Sequence, residues 1–244
     1  MGFEHHRVVI TAAGRDFGRT LALLFAARGA EVHLSARTPE AAARVREEIL
    51  ARGHDADRVH AYACDLADPV SVRQFAAAVS ARTDRVDVLL NNGSRYQHGP
   101  DLLSASDEDI VETLASGATG TVLVTKAFLP LLLNSDKPDI VTVVSGCGES
   151  GNHRSDAHDA FYAAKSAQAG FTEILSRRLR AHGVRVISLY PPDFDNHDPL
   201  SPEWEGAPRT ANDPLTAQSL VDCVFFAVGQ PRDCFIKSFR FEQV

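Results

Sequence analysis

Short apolar, β-branched runs alternate along this chain with longer segments whose apolar residues return every three or four positions, the pattern of βαβ units in a parallel sheet. Arg7 to Thr11 (RVVIT) is a continuous apolar run, as expected of a strand covered by helices on both faces. Phe17, Leu21, Leu24 and Phe25 then repeat at helical spacing, and Gly29 closes that helix. Glu31 to Ser35 (EVHLS) predicts a second strand. Thr38-Pro39-Glu40 supplies an N-cap, a proline at the first helical position and an acidic first turn for a helix through Ala51.

Val59 to Cys64 predicts a third strand, Asp68-Pro69 caps and opens the next helix, and Val86 to Leu90 (VDVLL) predicts a fourth strand. Asp107-Glu108-Asp109 places negative charge at the start of one long helix ending near Leu133. Ile140 to Val144 predicts strand five, and a glycine-rich polar loop from Gly146 to about Asp159 leads into a helix through Arg180. Val184 to Tyr190 (VRVISLY) predicts strand six, Thr216 to Val228 a last helix and Cys234 to Phe241 a seventh strand. The proline- and aspartate-rich stretch at about 192–214 reads as a mobile flap. The expected architecture is a single α/β domain over 1–244, a doubly wound Rossmann-type fold. Its seven-stranded, mainly parallel sheet carries helices on both faces and takes ligands outside the carboxyl ends of its strands.

Composition narrows the function. Of 244 residues, 44% are hydrophobic, and 25 Lys plus Arg stand against 32 Asp plus Glu, a net charge of -7 that argues against nucleic acid as a partner. No apolar run approaches the roughly 20 residues a bilayer crossing needs, and strand sequence begins by Arg7, which leaves no room for a signal peptide. A soluble, cytoplasmic protein with no membrane partner is expected. Cys64, Cys147, Cys223 and Cys234 are scattered without a CxxC pair, so neither a disulfide framework nor a metal site is indicated. The few lysines and abundant alanine read as the drift of a G+C-rich bacterial genome.

A strand, a glycine-containing turn and a helix together offer backbone N–H groups and a helix N-terminus to a pyrophosphate. Here the turn is Thr11-Ala12-Ala13-Gly14-Arg15-Asp16-Phe17-Gly18, followed in order by Cys64-Asp65-Leu66, Leu90-Asn91-Asn92-Gly93, Ser145, Phe161-Tyr162-Ala163-Ala164-Lys165 and Pro191-Pro192-Asp193-Phe194. In this order the chain resembles the short-chain dehydrogenase/reductase (SDR) family over essentially its whole length. The resemblance implies an oxidoreductase in which Thr11, Gly14, Arg15, Phe17 and Gly18 cradle the pyrophosphate. Asp65 and Leu66 would lie near adenine, Asn91 and Gly93 after strand four, Lys165 at the nicotinamide ribose, and Pro191 and Phe194 after strand six. The second strand ends Ser35-Ala36-Arg37 without the acid that would bind both ribose hydroxyls of NAD(H), so Arg37, with Arg15, is placed for the 2′-phosphate of NADP(H).

The departures from the family pattern bear on the chemistry. Ala12 and Asp16 stand at the first two glycines of TGxxxGxG, and a carboxylate at 16 repels a pyrophosphate unless Arg15 neutralises it. The family's tetrad is Asn, Ser, Tyr and Lys. Aligning Ala118-Thr119-Gly120 with its helix motif puts Gly117 at the Asn, and counting back four residues from Lys165 puts Phe161, not Tyr162, at the Tyr. Ser145 and Lys165 are kept. Candidate replacements for the lost acid are Cys147, Glu149, His153, His158 and Asp159 in the loop, with Tyr96, His98 and Tyr162. The leading expectation is an atypical NADP(H)-dependent oxidoreductase acting on a carbonyl or alcohol of a small molecule, as a homodimer or homotetramer. The rivals are a non-redox enzyme on the same scaffold (lyase, dehydratase, isomerase or cyclase) and a catalytically silent nucleotide-binding or regulatory protein.

Overall fold

The computed structural model describes residues 2–99, 101–152 and 154–242. Strands β1 (Arg7–Ile10), β2 (Glu31–Ala36), β3 (Val59–Ala63), β4 (Val88–Asn91), β5 (Asp139–Val143), β6 (Arg185–Tyr190) and β7 (Ser238–Arg240) form one sheet in the order β3-β2-β1-β4-β5-β6-β7. All six pairings are parallel, in keeping with the expected mainly parallel sheet. Chain order reverses between β1 and β4, so the carboxyl ends of these two strands splay apart into a cleft.

Helices α1 (Asp16–Ala27), α2 (Pro39–Leu50) and α8 (Ala217–Val228) bury Leu21, Val45 and Val224 against one face of the sheet, beside Val8, Ile10, Val32 and Leu34. On the other face, α3 (Pro69–Ser80), α5 (Gly120–Leu133) and α6 (Asp159–Leu179) close over Val9, Leu89 and Ile140, with Phe75 edge-on to Phe128 at 5.1 Å. The expected caps are present: Thr38 accepts from the N–H of Ala41 and Asp68 from that of Val70.

The predicted helix from Asp107 to Leu133 is broken in its hydrogen bonding: α4 (Asp107–Leu114) passes into a π-helical turn over Ala115–Thr119 before α5 begins. Small side chains there tolerate the wide turn. This stretch is, among the described residues, the one helix long and apolar enough to cross a membrane, which corrects the reading that no run approaches that length. Val124, Phe128 and Leu132 on it are fully buried against the sheet and α3.

Two further corrections concern the C-terminal part. The seventh strand is Ser238–Arg240 rather than Cys234–Phe241, because only that stretch reaches register with Ser188, Leu189 and Tyr190. The segment expected to be a free flap is docked. Phe194 packs edge-on to Phe17 at 5.4 Å, Thr20 donates to Asn196, Arg19 pairs with Asp198 at 3.2 Å, and a short helix α7 (Glu203–Gly206) carries Trp204 onto the core.

Beneath β5 and β6, Asp139 is almost wholly buried and takes two bonds from Arg185, at 2.8 and 2.6 Å, and one from Arg232 at 2.8 Å. Arg185 spends its other protons on the carbonyls of Val228, Gln230, Pro231 and Cys234, joining α8 and the approach to β7 to the sheet.

Candidate active site

The cleft is lined first by the turn after β1. Thr11 Oγ1 donates to Leu90 O and accepts from the N–H groups of Asn92 and Gly93, while the Asn92 amide donates to the carbonyls of Thr11 and Ala12. The end of β4 thus fixes the shape of the turn. Ala12 (φ 52) and Asp16 (φ 48) both sit in the left-handed region, the conformation that glycine adopts without steric cost. The backbone bend survives at the two positions where the glycine does not. A Cβ on Gly18 would come 2.4 Å from Ala12 O, so glycine is required there. No side chain caps α1, which leaves its first N–H groups to an anion. The Asp16 carboxylate is exposed and pairs with Arg15 at 3.3 Å.

Next to the turn, Arg37 is exposed, and its guanidinium lies 3.6 Å from Glu112 on α4. Arg95 holds the same Glu112 and also Asp109, at 2.5 Å. The acids of α4 therefore draw across the cleft a guanidinium that the sequence places for a phosphate. Asp65 receives the N–H of Ala67, Leu66 rests on Gly93, and Asn91 is buried with its amide on Thr125. Pro191, at the carboxyl end of β6, accepts from Gly146 N.

On the opposite wall, Lys165 is buried in α6 and donates to Val143 O at 2.9 Å and to Gln168 Oε1 at 3.1 Å. Gln168 in turn donates to Gly117 O at 3.0 Å and to Thr121 Oγ1 at 2.7 Å, tying the lysine to the π turn. Burial pushes the Lys165 ammonium down to about 7, with the Cys147 sulfur pulling weakly the other way. The Phe161 ring stands one turn earlier, its centroid 5.2 Å from Nζ, and Tyr96 meets it edge-on at 5.0 Å. Tyr162 packs beside Cys147 and Phe161, and its hydroxyl donates to Ser155 O and accepts from Ser155 N, both at 3.2 Å. Ser145 follows β5 with φ 85, a strained conformation for a serine, and its Oγ accepts from Cys147 N at 3.3 Å.

Several proton-donor candidates are engaged otherwise. His158 is the N-cap of α6, its Nδ1 accepting from Ala160 N at 3.0 Å, and its buried Nε2 lacks a partner among the described residues. Glu149 pairs with Arg240 at 2.7 Å, and Cys147 is packed against Ala157 and Phe161. His98 bridges Ala157 through the backbone, and Asp159 opens α6. His153 lies outside the described residues. Tyr96 keeps a half-exposed phenol beside Phe161, held above its ordinary range by desolvation and therefore protonated at neutral pH. Three residues were missed by sequence reasoning. Gln168 carried a faint signal in its i+3 spacing from Lys165, whereas Glu112 carried none. The third is Ser94, whose buried Oγ has no partner among the described residues; a Cβ on Gly117 would come 2.6 Å from it.

Comparison with known proteins agrees with this fold. The profile of the short chain dehydrogenase family matches residues 6–199. A 3-oxoacyl-[acyl-carrier-protein] reductase from Synechocystis is 32% identical over 184 residues, covering 75% of this chain and 72% of that protein. A D-threitol dehydrogenase from Mycolicibacterium smegmatis is 29% identical over 184 residues, covering 75% and 68%. The matched stretches span 65% to 68% of the length of the first four curated relatives. Among solved structures, a metagenomic short-chain oxidoreductase in complex with NADP is 25% identical with a TM-score of 0.80, covering 98% of this chain and 97% of that one. An NADP complex of RhlG from Pseudomonas aeruginosa reaches 0.83 at 19% identity, covering 99% and 96%, a likeness of fold.

Proposed function

The chain belongs to the short-chain dehydrogenase/reductase family, and from that premise we propose that it binds NADP(H) and catalyses oxidation or reduction at a carbonyl or alcohol carbon of a small organic molecule in the cytoplasm. The observation that carries this reading is the pairing across one cleft of an uncapped helix N-terminus, flanked by Arg15 and Arg37, with the buried Lys165 and the strained Ser145. The NADP complexes of similar structures support the choice of cofactor, as does the absence of an acid at the end of β2.

The dinucleotide, when bound, supplies or accepts the hydride. The backbone of 12–18 would cradle its pyrophosphate, and Arg37, now 3.6 Å from Glu112, would take the 2′-phosphate. Two of the three Lys165 protons are committed to Val143 and Gln168, and the third would serve a ribose hydroxyl. Ser145 Oγ accepts from Cys147 and keeps its own proton for the substrate oxygen. Phe161 offers a ring and no proton, so we assign proton delivery to the neighbouring phenol of Tyr96. Ile174 on α6 and Phe226 on α8 are exposed apolar side chains that suit a homodimer or homotetramer.

The test is a thermal-shift titration. NADPH is expected to raise Tm more than NADH, and Arg37→Ala to erase that preference; stabilisation by neither nucleotide would remove the cofactor from this account. The sign of the pH effect follows from Lys165. Above about 7 the amine has two protons left, both committed, so NADPH binding weakens as pH rises from 7 to 9, and an affinity flat over that range would exclude Lys165 from the ribose site.

Asp16→Gly supplies a further check. The fold changes by under about 1 kcal/mol, since relief of the left-handed backbone offsets the loss of an acid in the first turn of α1. NADPH binding tightens by roughly fivefold, on the order of 1 kcal/mol, because a carboxylate leaves the neighbourhood of the pyrophosphate; calorimetry reads this directly. The missing hydroxyl at Phe161 and the missing amide at Gly117 favour one second reading, a non-redox enzyme on this scaffold. It predicts that NADPH binds but that no member of a carbonyl panel oxidises it.

A further inference from the structure

At the amino end of the sheet, remote from the cleft, two neighbouring parallel strands bring metal-ligating side chains together. His33 of β2 is in register with His60 of β3, so their imidazoles lie side by side, and Glu31, two residues before His33, projects to the same face. Glu31 Oε1 lies 3.0 Å from His33 Nε2 and 3.7 Å from His60 Nε2, and the three ligand atoms fall within 4.8 Å of one another. We propose that Glu31, His33 and His60 bind one divalent transition-metal ion of the zinc class.

The chemistry of the donor set fits such an ion. Two imidazole nitrogens and one carboxylate oxygen, with one position left for water, make a three-ligand tetrahedral site, in which ligand atoms stand about 3.4 Å apart around bonds of roughly 2.0–2.1 Å. The two Glu31–histidine separations of 3.0 and 3.7 Å bracket that spacing, and all three ligand atoms lie within 4.8 Å of one another, so the mostly buried His60 would close on the ion. His33 is fully buried, its ring held between Glu31 and Tyr62. Its Nδ1 lies 3.1 Å from the Tyr62 hydroxyl, which donates to the ring or accepts from it. The Nε2 proton can therefore move to Nδ1 and leave the Nε2 lone pair for the metal, with Tyr62 as the outer partner that fixes the ring.

Arg7 pairs with the other carboxylate oxygen of Glu31, at 3.4 Å, and leaves Oε1 facing the histidines. Its positive charge, which opposes a cation, is shared with Asp84, also at 3.4 Å. The open side of the site lies between the partly exposed Glu31 and His60. The ion would fasten the edge strand β3 to β2.

The test uses the full chain with ZnCl2 and CoCl2. The expected results are one equivalent bound per chain, a Tm raised by roughly 5–10 °C at a hundredfold excess over Kd, and visible cobalt bands of four-coordinate intensity. His60→Gln and Glu31→Gln, both at the partly exposed rim, each lose the cobalt bands and weaken zinc binding at least tenfold, while His5→Ala/His6→Ala keeps both. Absence of binding by the wild-type chain overturns the proposal, as does binding that survives both rim variants or disappears only with His5 and His6. Should the rim variants fail to fold, X-ray absorption on the zinc-loaded wild type decides instead: two imidazoles and a carboxylate oxygen sustain the proposal, and a shell with fewer than two imidazoles refutes it.

Discussion

Phe161→Tyr is expected to raise the rate of carbonyl reduction by about 10²- to 10⁴-fold, roughly 3 to 5 kcal/mol of transition-state stabilisation. The substitution adds one oxygen to a ring already placed one helical turn ahead of Lys165, with Nζ 5.2 Å from its centroid. An ammonium at that distance favours the phenolate over the phenol, which poises the new hydroxyl for proton transfer in either direction. With the role proposed for Ser145, a single change restores three of the family's four groups. In the wild type Tyr96→Phe lowers turnover, and in the Phe161→Tyr background the same change has little effect, because the nearer hydroxyl has taken over. Loss of nicotinamide absorbance with a panel of ketones and aldehydes measures all four proteins. No gain in Phe161→Tyr, or inactivation of the wild type by Tyr162→Phe, would place the acid elsewhere and return the helix register to question.

The largest expected effect on stability is at Asp139. Its carboxylate is buried and matched by two guanidiniums, of which Arg185 is itself almost wholly enclosed. Asp139→Asn keeps the shape but removes the charge and one acceptor, leaving the Arg185 cation without a counter-ion in a region water does not reach. Breaking one side of a buried pair costs about 3–5 kcal/mol, for a chain of this size roughly 6–20 °C in Tm. Urea denaturation gives the number directly. Arg185→Met in the Asp139→Asn background should recover part of the loss, since the uncompensated cation is then gone. A loss under about 1 kcal/mol in the single variant would mean that water replaces the carboxylate.

The strand and helix succession was legible in the pattern of apolar positions because each element is covered by its neighbours in a regular way: RVVIT is buried on both faces, and Thr38 and Asp68 cap the helices they precede. What escaped depended on pairing between distant segments. The length of β7 is set by how far it keeps register with β6, and the docking of 194–204 by Phe17, Thr20 and Arg19 on another helix. In the site, Ser145, Lys165 and Phe161 were readable from order and spacing. The attraction of Arg37 to Glu112 was not, since it joins a strand end to a helix 75 residues further on. Neither was the convergence of Glu31, His33 and His60, because only the strand register reveals that His33 faces His60. His158 read as one acid–base candidate among several; its Nδ1 caps α6, which no local pattern announced. Ala12 and Asp16 read as lost glycines, whereas the chain had kept the bend and lost only the residue type best suited to it.

The wide turn over Ala115–Thr119 holds one more residue than a regular turn, and it sets the azimuth of everything upstream. Winding these same residues as a regular α-helix, with none removed, would swivel the leading segment by about 100°. Glu112 would swing off the cleft, and both arginines would lose their shared anchor together. Helical regularity at that point is incompatible with the present rim of the nucleotide groove.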